Sequence, residues 1–325
     1  DRGIISFLSR CPQAGQTKVL CFGPCAGLSR SRDKTPAAPC RVTKLAGVEG
    51  EDDPMRSHSA HSAHGTSPWV ANFSALRTSL KSLRDAHASL QMQLARVGFS
   101  EPGMTRASRM FSGEPPLPRH YADAPWLLPP SSVRVLALPL ADELLSDAAA
   151  RRLSRLALRA AEELAGVLPP GTQSWTPSLR SLHVTLFHPG AAPGTSRDSA
   201  PPTPSPRALH HELELAQRLA AAVPANLTLL VDRIVITSGG VLLLLFLPDH
   251  NGACVEALRA AAGRAFPSNT RQTSGLIHAS LLRVVGLPPG YHGAAADVAR
   301  AATAVCERWT RRLRGVRISL RGLLF

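Results

Sequence analysis

Two short apolar segments constrain this chain more than anything else in it. Leu182-His183-Val184-Thr185-Leu186 and Ile277-His278-Ala279-Ser280-Leu281 share one pattern, an apolar run broken by a histidine and, two positions on, by a hydroxyl. The two histidines are 95 residues apart, and each motif follows an Ala-rich helical stretch and a Ser/Thr-containing loop, so this part of the chain carries a weak internal repeat. Successive side chains on a strand alternate faces. His183 and Thr185 therefore point one way, as do His278 and Ser280, while Val184 and Ala279 point to the buried face. Two such strands side by side place two imidazoles and two hydroxyls around one cleft. One histidine takes a proton from water, the other protonates a leaving oxygen, and the hydroxyls donate to non-bridging phosphate oxygens. Histidine suits both proton transfers because its ordinary pKa lies near neutrality. The triplet H-x-[ST] also occurs at His64-Gly65-Thr66 and His87-Ala88-Ser89. The first sits in a polar stretch and the second in a helical pattern, so neither presents its pair on a strand. Any one such histidine reads as a packed structural residue; the matched pair reads as a site.

Around the motifs, helix and strand patterns alternate. Strands are expected at 133–138, 182–187, 227–237, 241–247, 276–285 and 315–320, and helices at 141–168, 208–223, 252–265 and 294–313. Ser238-Gly239-Gly240 marks a hairpin between two of the strands. Residues 131–325 therefore read as one α+β domain with helices covering sheets. A Pro/Ser/Thr-rich loop at 190–207 is a candidate cover for the cleft.

The preceding residues divide by composition. Residues 1–68 are rich in Ser, Arg, Pro, Gly and Ala without a sustained period, and are expected to be disordered. The histidines His58, His61 and His64 fall there, in what reads as a solvated linker rather than a metal site. Residues 69–98 hold a heptad-like seam, Phe73, Leu76, Leu80, Leu83, His87, Leu90, Leu94 and Val97. It suits either self-association through residues 73–97 or packing on the chain's own domain. Residues 99–130, with seven prolines and a closing Trp126-Leu127-Leu128, read as an extended linker.

The net charge of +14 favours an anionic partner such as RNA or a phosphate ester. Against that, 33 of the 37 basic residues are Arg in an Ala-rich chain, a bias that coding composition alone produces. No apolar run approaches the ~20 residues of a membrane helix. The six cysteines lack paired metal-knuckle spacing, and nothing in them argues for a disulfide scaffold, so a reducing, intracellular compartment is the default. The chain opens on Asp1, which leaves a targeting segment neither found nor excluded.

The pair of motifs resembles the two H-x-[ST]-hydrophobic motifs of the two-histidine (2H) phosphoesterase superfamily. Ser181-Leu182-His183-Val184-Thr185-Leu186-Phe187-His188 looks most like plant and algal proteins of the RNA ligase/cyclic nucleotide phosphodiesterase family. The resemblance covers roughly residues 130–325. It implies a bilobal fold of two antiparallel sheets with flanking helices and pseudo-twofold symmetry. It further implies acid–base catalysis by His183 and His278, phosphate binding by Thr185 and Ser280, and no metal or other cofactor. The implied activity is hydrolysis of 2′,3′-cyclic phosphates of RNA ends or nucleotides. An RNA 3′-exonuclease of the same fold, a non-catalytic RNA- or nucleotide-binding module and an assembly protein built on the seam helix are the other readings. By strand parity Phe187 lies on the catalytic face, where it stacks on a base or joins the core. His188 lies off it and reads as structural. Arg283 also lies off it, and contacts substrate only if the strand end turns it. The Arg308–Arg321 run reads as a solvated basic face, with a nucleic-acid track as the alternative.

Overall fold

The computed structural model describes residues 19–21, 73–108, 111–118, 135–187, 189, 205–222, 227–249, 255–266, 275–288, 291 and 295–324. Apart from 19–21, the segment 1–68 lies outside the described residues, as do 119–134, His188 and 190–204. The expectations for those segments are therefore not addressed by the fold.

In chain order the elements are β1 (Val19–Cys21), α1 (Phe73–Val97), α2 (Glu101–Ser108), β2 (Phe111–Ser112), β3 (Leu117–Pro118), β4 (Leu136–Pro139), α3 (Ala148–Val167), β5 (Gln173–Trp175), β6 (His183–Phe187), α4 (Pro206–Ala222), β7 (Leu227–Ile236), β8 (Val241–Pro248), α5 (Val255–Ala265), β9 (Ile277–Gly286), α6 (Ala295–Leu313), β10 (Arg317–Leu320) and β11 (Gly322–Leu324). Among the described residues one four-stranded sheet runs β1-β11-β4-β6, and one five-stranded sheet runs β10-β7-β8-β9-β5, with every pairing in them antiparallel. The domain is thus mixed α+β with two antiparallel sheets and flanking helices. β6 and β9, the motif strands, come together where the two sheets meet.

Local chemistry sets the element ends. The expected helix at 141–168 starts only at Ala148, because two aspartates divert the chain first. Asp142 Oδ1 accepts from the backbone N–H groups of Leu144 and Leu145, and Asp147 caps the helix by accepting from Ala150 N at 2.6 Å. The other Asp147 oxygen accepts from Ser319 N, which ties the cap to β10. The β7–β8 turn uses Gly240 at φ 75, and a Cβ there would meet Val284 Cβ at 2.9 Å.

Of the two expectations for the seam of α1, the described residues show packing on the chain's own domain over Leu80–Leu94. Leu80 and Leu83 pack with Leu247 and Leu230, and Leu90 packs with Val235, Leu243 and Leu245. Leu94 is fully buried in the main core, and so is His87 among the seam's own contacts; Val97 is exposed. His87 Nδ1 is paired with Asp232 of β7 at 2.8 Å. Leu94→Ala should cost about 2–5 kcal/mol, the usual range for a buried leucine, measured as a shift in the urea midpoint.

The 99–130 linker is likewise not wholly extended. Met104 of α2 enters the core beside Gly240, and β2 pairs with β3. The strand β1 falls inside the segment expected to be disordered, and pairs with β11.

Candidate active site

Both motif strands carry the same irregularity. In β6, Ala137 pairs with Thr185 and Leu136 with Phe187, so Leu186 is an extra residue. In β9, Leu243 pairs with Ser280 and Leu242 with Leu282, so Leu281 is extra. Each is a β-bulge placed three residues after the motif histidine. A bulge puts two residues opposite one and resets the alternation of faces.

The reset moves two candidate residues. Phe187 shifts to the core side, where it is 4% exposed and stacks on Phe266 with ring centroids 5.9 Å apart. Arg283 shifts onto the face of His278 and Ser280: all three are partly exposed, while Ala279, Leu281, Leu282 and Val284 are buried. Strict period-two reading places both residues on the opposite faces.

His183 is exposed, with Nδ1 2.8 Å from the Ser181 carbonyl. A carbonyl only accepts, so Nδ1 carries a proton and Nε2 is the group offered to a ligand. His278 is half-buried, and its pKa is lowered to about 4. Burial is the main cause, and the charge of Arg259 adds to it. The Leu276 carbonyl opposes the shift, and Arg283 and His183 then lower it further. His278 Nδ1 makes no well-formed hydrogen bond, and the Leu276 carbonyl accepts from Arg259 at 2.8 Å. Thr185 and Ser280, both partly exposed, follow their histidines on the same faces.

Two residues join the site that the motifs do not reveal. Arg259 of α5 donates to the carbonyls of Leu186 at 3.1 Å and Thr185 at 3.2 Å, as well as to Leu276. The available signal was its position, four residues after Val255 and three before Ala262, on the apolar stripe of the helix. Trp175 pairs in register with Arg283 and so lies on the same face, tilted against Phe111 at 5.5 Å. A three-residue strand gives no periodic signal from which to find it.

Helix α1 walls this face. Arg233, Leu245 and His278 form one row across β7, β8 and β9, and Val235, Leu243 and Ser280 form the next. The leucines of those rows are the ones that α1 covers. Much of the arginine run is engaged on the chain itself: Arg308 with Glu163, Arg314 with Asp232, Arg317 with Asp249, and Arg312 over the Trp309 ring.

Chemically, the two motif strands offer one imidazole held neutral, one with a defined tautomer, two hydroxyls and a guanidinium. Among the described residues, no group of three His, Cys, Asp or Glu side chains is placed to hold a metal ion, and no helix is long and apolar enough to cross a membrane. No family model matches the chain, no curated protein matches its sequence, and no solved structure matches its fold.

Proposed function

We propose that this chain is a metal-independent phosphodiesterase that opens 2′,3′-cyclic phosphates of nucleotides or RNA ends, using His183 and His278 as an acid–base pair. The observation that carries the reading is the bulged H-x-[ST] strand occurring twice, with the two copies side by side. The resemblance to 2H phosphoesterases supplies the reaction class.

His278, neutral at pH 7, takes the proton of a water molecule as the water oxygen attacks phosphorus. Protonated His183 gives its Nε2 proton to the departing ribose oxygen as the P–O bond breaks. Thr185, Ser280 and Arg283 hold the non-bridging oxygens, where negative charge grows in the transition state. A proton exchange with solvent then resets the pair. Turnover should fall on the acid side as His278 protonates. A kcat/KM profile on 2′,3′-cyclic AMP checks this, and a flat profile from pH 4 to 9 contradicts it.

Trp175 supplies the aromatic surface that Phe187 cannot. Trp175→Ala should raise KM with little change in kcat, by the equivalent of about 1–3 kcal/mol for one stacked base. Comparison of a cyclic nucleotide with a base-free cyclic phosphate reads this directly: only the nucleotide should lose affinity.

A further inference from the structure

We propose that Arg259 is a positioning residue of this site: its guanidinium clasps the two motif strands through the carbonyls of Thr185, Leu186 and Leu276, and so fixes where His183 and His278 stand relative to each other. The strands need such a clasp. Among the described residues β6 is the last strand of its sheet, so one of its edges has no ladder partner there. The neighbour of β9 on its outer side, β5, pairs only with Arg283, Val284 and Gly286, which leaves the His278 half of that edge without a ladder. The edges meet without pairing to each other, and carbonyls enclosed there need donors.

Arg259 suits the task because a guanidinium presents five N–H donors in one rigid plane, whereas a lysine offers a single compact ammonium. It reaches Leu186 through Nε, and Thr185 and Leu276 through one terminal nitrogen. The clasp also makes the two motifs unequal. In the first, the carbonyl two residues before the histidine receives that histidine's Nδ1–H; in the second, the matching carbonyl accepts from Arg259. The positive guanidinium beside His278 adds to burial in disfavouring its protonated form.

The catalytic consequence rests on the phosphodiesterase reading, but the clasp does not. The test uses the full chain with ¹³C-labelled histidine, as wild type, Arg259→Gln and Arg259→Lys. NMR reads the protonation midpoint of His278 without substrate, and steady-state assays on 2′,3′-cyclic AMP read kcat and KM. Arg259→Gln should raise the His278 midpoint by about one pH unit, as removal of a nearby like charge does. It should also lower kcat by about 10- to 100-fold, as expected for misplacement of the reacting groups, with a smaller change in KM. Arg259→Lys keeps the charge and loses the fork, so kcat should still fall while the midpoint moves less. A folded Arg259→Gln protein with the wild-type midpoint and kcat overturns the proposal. Should Arg259→Gln fail to fold, Arg259→Lys decides: wild-type kcat there overturns it. A wild-type protein with no turnover sinks the phosphodiesterase reading alone, and the midpoint of His278 still decides the clasp.

Discussion

Replacing His278 with alanine is expected to lower kcat by about 10²–10⁴-fold, the usual contribution of a positioned acid or base. His183→Ala should lose a comparable amount, and the double variant should be little worse than either, because the two act in one proton-transfer unit. Thr185→Ala and Ser280→Ala should lose less, since each removes one neutral hydrogen bond to a phosphate oxygen. The acid limb of the profile separates the roles. It belongs to His278, whose proton affinity burial and Arg259 reduce, so it should disappear in His278→Ala along with most of the rate. Folding stability carries the same signature. His278 binds its proton with a pKa near 6.5 when unfolded and about 4 when folded. The unfolded state therefore gains protons first as pH falls, and the native state loses stability between these values. Urea midpoints at pH 7 and pH 5 should differ less in His278→Gln than in wild type.

The second large effect lies away from the cleft. Asp232 is 2% exposed at a bulge in β7, and its carboxylate is shared by His87 at 2.8 Å, Arg233 at 2.8 Å and Arg314 at 3.6 Å. Burial pushes its pKa up, but hydrogen bonds from His87 and Arg233 outweigh this and hold it below the usual carboxylate value. Asp232→Ala should cost about 3–5 kcal/mol, because it leaves partners in a largely buried site without their acceptor. It should also loosen α1, since His87 and Gln91, both on that helix, hold Asp232 and Arg233. Urea unfolding gives the first quantity, and amide exchange across 80–94 gives the second. A change under about 1 kcal/mol with unaltered exchange would mean the network contributes little beyond a surface ion pair.

The sequence made much of the scaffold legible, for physical reasons. Strands β6 through β9 and the helices between them are long enough for periodicity to register. The bulges were not legible, because a one-residue insertion is set by partner-strand geometry rather than by hydropathy, and their cost was specific: Phe187 and Arg283 exchange faces. The seam of α1 announced an apolar face without naming what covers it. His87 held the hint, since a polar residue in such a seam requires a partner, but Asp232 lies 145 residues away in the chain. Strands β5 and β11 span three residues each, too few for any pattern, so Trp175 went unseen. Arg259 was visible only as a charge on an apolar stripe, and its partners are backbone carbonyls, which no side-chain motif encodes.

The most direct test of the central claim is turnover by the purified chain of 2′,3′-cyclic nucleotides and of RNA ending in a cyclic phosphate, with and without EDTA, beside His183→Ala and His278→Ala. The account predicts hydrolysis to a phosphomonoester, unaffected by the chelator and reduced by at least about 100-fold in both variants. Binding without turnover, or activity that survives both substitutions or depends on an added divalent metal, would contradict it.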